Sequence, residues 1–141
     1  MHAPNVGVPT FMKQSLQDIR SQIDPNTIIL RDFNTPLMPL DRSSGQKMNT
    51  DSSDIRKTIN RMDLMDTYRL FQPATPEYTF CSAAHGTFSK IDHILGHKAS
   101  TSKFKGCDII PCIFSDHNRM KLEINNRKTK SNHIKGVGLG A

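Results

Sequence analysis

The chain has 141 residues, of which 35% are hydrophobic and 6% aromatic, and it contains no tryptophan. The chain has 19 Lys and Arg residues and 13 Asp and Glu residues, which gives a net charge of +6. A positive charge of this size favours a polyanionic partner. The length suits one domain. No apolar run approaches the roughly 18 residues of a membrane span, and no secretory leader opens the sequence. We therefore expect an intracellular protein, nuclear or cytoplasmic, without membrane contact.

Apolar periodicity predicts two helices and a further helical turn. The first helix follows Thr10, a candidate N-cap, and ends before Pro25. The second begins after Ser52 or Ser53, which can also cap a helix. A short helical turn is predicted around residues 66–71. The first helix is amphipathic, so its apolar side is expected to pack against a sheet.

Residues 28–36 read Ile-Ile-Leu-Arg-Asp-Phe-Asn-Thr-Pro and predict a short buried strand with polar residues at its end. Asp32 and Asn34 are two residues apart, so both side chains can face the same side. Pro36 stops further strand pairing. An acid and an amide at the rim of a sheet predict phosphate or metal chemistry. Simple turn formation before Pro36 is the alternative.

Two later segments have the same design. Residues 88–95 alternate as a strand that carries Asp92, and residues 109–117 form an apolar run that ends in Asp116 and His117. Structural roles remain open, since Asp92 could be a satisfied buried carboxylate and the later pair a polar cap. Beyond residue 30, strands are predicted at 78–81, 87–95, 107–114 and 119–124.

The remaining polar residues predict no further site. The cysteines Cys81, Cys107 and Cys112 have no C-x-x-C spacing, so tetrahedral zinc is disfavoured and free thiols are expected. His85, His93 and His97 share no clear face and are interpreted as surface or turn histidines. From residue 127 the chain is rich in Asn, Lys and Gly. We therefore predict a domain at 1–126 and a disordered basic tail at 127–141.

The ordered set D-x-N, S-K-I-D-H and S-D-H resembles the endonuclease/exonuclease/phosphatase family, in particular the apurinic-type endonuclease domain of the reverse transcriptase protein of mammalian LINE retrotransposons. The likeness runs from Met1 to about Asn126 and rests on Asp-Phe-Asn-Thr-Pro-Leu, Glu-Tyr-Thr-Phe, Ser-Lys-Ile-Asp-His-Ile-Leu-Gly and Ser-Asp-His. It implies an α/β (α+β) fold, half of a four-layer sandwich with a mostly antiparallel sheet and two or three flanking helices.

The same resemblance implies a Mg²⁺-dependent endonuclease that cuts DNA, with RNA as an alternative nucleic acid. Asp32 would orient or deprotonate the attacking water, or protonate the leaving oxygen, and Asn34 would donate its amide to the phosphate. His117 would contact the phosphate or transfer a proton, with Asp92 holding its other ring nitrogen. Asp116 and Asp32 would lie near the metal. These roles are expectations from the family.

The resemblance also implies substrate contacts at Thr79, Ser89 and His2, beside Asn34. The likeness covers roughly the second half of the family's domain, so the main glutamate ligand for the metal is missing. Arg31 stands where relatives have glycine, and a positive φ there would strain the backbone. We therefore expect a retrotransposon-derived nuclease fragment, impaired alone, whose partners are DNA and a missing domain half or full-length retrotransposon protein. A non-catalytic nucleic-acid-binding remnant, or a pseudogene-like product without independent function, is the alternative.

Overall fold

The computed structural model describes residues 8–43, 50–84, 86–125 and 135–137. Within these ranges the α-helices are Val8–Asp18 (α1), Thr50–Arg61 (α2) and Thr67–Phe71 (α3). The strands are Thr27–Asp32 (β1), Leu64–Asp66 (β2), Phe80–Ser82 (β3), Thr87–Ser89 (β4), Asp92–His97 (β5), Phe104–Ile110 (β6), Arg119–Ile124 (β7) and Lys135–Val137 (β8). No helix among these residues is long and apolar enough to cross a membrane.

The main sheet has the strand order β2-β5-β1-β8. Strand β5 runs antiparallel to both β1 and β2, whereas β8 runs parallel to β1. The hairpins β3–β4 and β6–β7 form two separate antiparallel pairs. The register places Asp32 directly opposite Asp92, so two strand ends bring their carboxylates to the same edge. The mixed α/β fold with a mostly antiparallel sheet confirms the prediction from the sequence.

Two apolar clusters cover the two faces of the main sheet. On one face, Leu16 of α1 and Ile55 of α2 pack with Ile29 and Leu95 of the sheet. Hydrophobic side chains buried in this way contribute about 1.5–3 kcal/mol each. The second cluster, whose buried members are Ile28, Tyr68, Ile94, Phe104 and Cys107, joins the other face to α3 and the β6–β7 hairpin.

Coverage of the second face is incomplete. Leu30 follows Ile28 on the same side of β1, but its side chain is 51% exposed whereas Ile28 is 5% exposed. A cleft of about 390 Å³ opens at this position and is lined by Leu30, Asp32 and Met120 among others. The acidic end of β1 therefore adjoins an open, partly apolar cleft.

Gly96 lies in β5 and contacts Phe104 of the second apolar cluster. A Cβ atom at this position would lie 2.6 Å from Cζ of Phe104 and 3.0 Å from Cγ2 of Thr67. Both neighbours are buried and cannot move freely. We expect Gly96→Ala to lower the free energy of unfolding by about 1–3 kcal/mol through overpacking. Urea denaturation would measure this, with Gly106→Ala as the control because its Cβ would meet no atom within 4 Å. If the two substitutions lowered the free energy of unfolding equally, close packing against Gly96 would be contradicted.

The structure corrects several predicted boundaries. The predicted strand 87–95 is two strands, β4 and β5, which pair with different partners because the chain turns inward at Lys90 and Ile91. The predicted strand 107–114 is β6 at 104–110, and Ile113 and Phe114 lie beyond its end, where they are 88% and 91% exposed. Strand β2 has only three residues and gives no periodic signal.

Part of the predicted tail is ordered against the sheet. Residues 135–137 form β8 and pair with Thr27, Ile28 and Ile29 of β1. The prediction of disorder is therefore wrong for these three residues. The other residues of the predicted tail lie outside the described part of the chain.

Candidate functional site

Three segments meet at the edge of the sheet where β1 ends and β5 begins. Asp32 closes β1 and Asp92 opens β5. His117 comes from the connection between β6 and β7 and forms a bridge with Phe80 of β3. The backbone N–H of Asn118 donates to the Thr79 carbonyl at 2.7 Å, which fixes this connection beside the hairpin. The sheet and the β3 strand thus bring residues far apart in sequence to one place.

The imidazole of His117 lies between the two carboxylates. Its Nδ1 atom is 2.8 Å from Oδ2 of Asp92, a hydrogen bond, and its Nε2 atom is 3.9 Å from Oδ2 of Asp32. Potential ligand atoms of the three residues all lie within 4.8 Å of one another. Because a carboxylate can only accept, Nδ1 donates to Asp92 and Nε2 is directed to the Asp32 side. The structure therefore brings Asp32, Asp92 and His117 together at the edge of the sheet.

The carboxylates control the charge of His117. Partial burial alone would lower the pKa of the imidazole, but the hydrogen bond to Asp92 and the negative charges of Asp92, Asp32 and Asp116 outweigh it. The net effect raises the pKa of His117 above its ordinary value. The site consequently favours a protonated imidazole, which can donate from Nε2 to an anionic group.

Asn34 adopts a backbone conformation that suits its side chain. Its φ is 53°, and its N–H donates to Oδ1 of Asp32 at 2.7 Å. Asparagine enters this left-handed region more readily than most residues. The Asn34 side chain is exposed beside the acid, and Arg31 lies within the extended strand β1 without positive φ. The backbone strain considered for Arg31 is therefore absent.

Thr79 supports the site from inside the protein. It is 0% exposed, and its hydroxyl accepts the backbone N–H groups of Ile91 at 3.1 Å and Asp92 at 3.2 Å. The Thr79 N–H donates in turn to the carbonyl of the half-buried Ser89. This burial favours a positioning role for Thr79 over the predicted contact with substrate.

Two other predicted residues stand apart from the close group. Asp116 is exposed and lies outside the group of three, although its charge contributes to the raised pKa of His117. The Asp116 carbonyl accepts the Cys81 N–H at 3.1 Å, which ties this segment to β3. His2 lies outside the described residues.

A buried polar network that no local sequence pattern indicates lies beside Asp92. Lys90 is 0% exposed, and its Nζ lies 2.8 Å from Oδ2 of Asp66 and 2.9 Å from Nδ1 of His93. Because the Thr35 carbonyl can only accept, Nε2 of His93 donates to it, at 3.0 Å. The interpretation of His93 as a surface histidine is wrong, since its ring is buried against Phe33.

The network holds Asp66 ionised. Burial alone would raise the pKa of Asp66, but the His93 hydrogen bond and the Lys90 charge lower it far below its ordinary value. A second carboxylate, Asp41, pairs with Arg69 and accepts the backbone N–H groups of the turn at 37–38. These contacts anchor the residues that flank Asp32, Asn34 and Asp92.

Comparisons with known proteins place this geometry in a known fold. No protein-family model matches the sequence. An AP endonuclease from Archaeoglobus fulgidus superimposes with a TM-score of 0.72 at 18% identity, over 83% of this chain and 53% of the other. The chain therefore has the AP endonuclease fold. A 3′ phosphatase from Neisseria, solved with a product DNA hairpin, also superimposes on this chain. Its TM-score is 0.70 at 18% identity, over 80% of this chain and 51% of the phosphatase.

One relative at the sequence level points to a mobile element. The Transposon TX1 uncharacterized 149 kDa protein of Xenopus laevis is 31% identical over 103 residues, which is 72% of this chain and 8% of that protein. The chain spans about half the length of the solved AP endonuclease-fold structures and a small part of the transposon protein. The resemblance inferred from the D-x-N, S-K-I-D-H and S-D-H segments is confirmed at the level of the fold.

Proposed function

We propose that this chain is a retrotransposon-derived nuclease fragment that carries half of a Mg²⁺-dependent site for hydrolysis of DNA phosphodiesters. The observation that carries the proposal is the placement of His117 between Asp92 and Asp32 at the edge of the sheet. The transposon relative supports the origin, and the Neisseria phosphatase with its product hairpin supports DNA as the substrate class. The net charge of +6 suits such a polyanion.

Asp32, His117 and Asp92 would have different roles, because they differ in charge and exposure. Asp32 is exposed and its Oδ1 accepts the Asn34 N–H, so its Oδ2 can orient a water molecule toward a phosphate. His117, protonated, would donate from Nε2 to a phosphate oxygen and reduce the charge that develops there. Asp92 positions the imidazole and maintains its charge. Asn34 would donate its exposed amide to the same phosphate.

The donor set fits a hard divalent cation. Mg²⁺ binds oxygen ligands from one or two carboxylates and keeps several waters and substrate oxygens. Asp32 offers such an exposed carboxylate, and Asp116 is the second carboxylate we propose as a ligand. When bound, Mg²⁺ would supply charge neutralisation on the phosphate. The chain spans about half the length of the solved structures with this fold, so we expect low activity from it alone.

A plasmid-nicking assay tests the proposal. Supercoiled DNA is incubated with the purified chain in Mg²⁺, in EDTA, and in Ca²⁺, which has the same charge but looser coordination. We expect slow conversion to the nicked circle in Mg²⁺ and none in EDTA. Nicking that is equal in EDTA would overturn the proposal, as would the absence of any Mg²⁺-dependent product from a chain shown to be folded.

Binding of nucleic acid without catalysis is a second candidate, favoured by the net charge of +6. It predicts that affinity for a short DNA duplex falls by at least about tenfold between 50 and 200 mM salt, because phosphate contacts release counterions. Fluorescence anisotropy with a labelled duplex would measure this. Affinity that does not change with salt would contradict binding through the phosphate backbone.

A further inference from the structure

A second cavity, of about 540 Å³, lies on the opposite edge of the main sheet from β8, between α2 and the edge strand β2. We call it the α2–β2 groove. Apolar side chains that line it come from the loop after β1, from α2 and from β2, namely Leu37, Met38, Ile59, Leu64 and Met65. None of the residues assigned to the catalytic cluster lines this groove. It is therefore a separate site.

The groove has a positive rim. Its lining includes the cations Arg56, Lys57, Arg69 and Lys98. Among the described side chains, no ion pair involves Arg56, Lys57 or Lys98. The acid in the lining, Asp66, is already paired inside the protein with Lys90 and His93. The charge facing a ligand is consequently positive.

Arg69 adds an unused donor. Its side chain is 10% exposed, and its terminal nitrogens bind Asp41 and the carbonyls of Gln72 and Thr75. Its Nε–H is buried and has no hydrogen-bond partner among the residues that the structure describes. A buried donor without a partner costs about 1–3 kcal/mol.

We propose that the α2–β2 groove binds an acidic peptide segment that carries aliphatic side chains. Carboxylates would face Arg56 and Lys57 at the rim, while a Leu, Ile or Met side chain would enter the apolar wall. Met38 and Met65 suit varied aliphatic side chains because methionine is flexible and polarizable. Charge complementarity would guide the approach of the segment.

A peptide fits this groove better than a nucleic acid does. Proteins that bind exposed bases stack them on aromatic side chains, and no aromatic residue is among the lining residues. Phosphate contacts alone need cations on an accessible surface and make no use of an apolar cavity. The combination of an aliphatic wall and a cationic rim is what an acidic, aliphatic peptide would match.

Selection from a random library of twelve-residue peptides, displayed on phage, tests the proposal with the full chain. We expect enriched peptides to combine Asp or Glu with Leu, Ile or Met. The best of these, made synthetically, should shift the methyl NMR signals of Met38 and Met65 and leave the buried Met12 unchanged. Arg56→Glu should weaken its binding at least tenfold. Arg61→Glu, an exposed arginine on the same helix that does not line the groove, should have little effect.

Three results would overturn the proposal. One is a library that yields no acidic, aliphatic enrichment. Another is a selected peptide that binds Arg56→Glu as tightly as the unchanged chain. The last is a DNA duplex that shifts Met38 and Met65 while the peptide does not, which would assign the groove to nucleic acid. An unchanged Met12 signal in each variant shows that the fold is intact.

Discussion

Replacing Lys90 by methionine is expected to lower the free energy of unfolding by about 3–5 kcal/mol, a large fraction of the stability of a small domain. The Lys90 ammonium is fully buried and contacts Asp66 at 2.8 Å, His93 at 2.9 Å and the face of the Tyr68 ring at 5.3 Å. Without it, the Asp66 carboxylate stays buried with only the ring of His93 beside it. Chemical denaturation followed by circular dichroism would measure the loss.

A double-mutant cycle separates the charge effect from the loss of packing. Asp66→Asn keeps an acceptor for the Tyr68 N–H, which caps α3, but removes the charge. The double variant Lys90→Met/Asp66→Asn should therefore be more stable than Lys90→Met alone. Lys105→Met, an exposed lysine on β6, serves as the matched control and should change stability by less than about 0.5 kcal/mol. A Lys90→Met effect no larger than that of Lys105→Met would contradict the buried network.

Substitution of the three convergent residues is expected to have the largest effect on DNA nicking. Asp32→Asn and His117→Ala should each reduce the Mg²⁺-dependent rate by at least about 10²-fold, since each removes a group that we propose to move or stabilise charge at the phosphate. The plasmid assay measures both rates. Asp108→Asn provides a matched control on β6, where the exposed acid lies outside the cluster. If Asp108→Asn lowered the rate as much as Asp32→Asn, or if both site variants retained full activity, the assignment would fail.

The pH dependence of that rate follows from the charge of His117. In the proposed function a protonated imidazole is the active form, and its pKa is raised above the ordinary value by Asp92 and Asp32. Activity should therefore decline as the pH rises through the raised pKa. Asp92→Asn removes the main stabilising contact, so the decline should move to lower pH. A decline that stays at the same pH in Asp92→Asn would show that another group controls it.

The sequence predicts the position of the candidate site better than it predicts the buried network of Lys90 and Asp66 beside the site. Asp32 could be placed because it ends an apolar strand at the edge of a sheet. Asp92 was expected inside the strand 88–95, whereas the structure places it at the start of β5. Lys90 gave no such signal, because a lysine in an alternating strand is ordinarily exposed. Its burial depends on Asp66, 24 residues earlier in sequence, and on a turn between β4 and β5. Such long-range pairing has no local pattern.

The short strands were missed for a related reason. Strands β2 and β8 have three residues each and stand in segments without an alternating pattern. Both form by pairing with longer strands of the main sheet. In contrast, α1 and α2 were predicted because their apolar residues recur over several turns. Local periodicity identifies long elements, whereas tertiary pairing determines the short ones.

An NMR titration of the His117 imidazole tests most directly whether it lies between Asp92 and Asp32. We expect the pKa of His117 to lie above the ordinary histidine value in the unchanged chain and to fall in both Asp92→Asn and Asp32→Asn, with the larger fall in Asp92→Asn. Asp108→Asn should leave it unchanged. A pKa of His117 at the ordinary value, insensitive to both carboxylates, would contradict a shared site at this edge of the sheet.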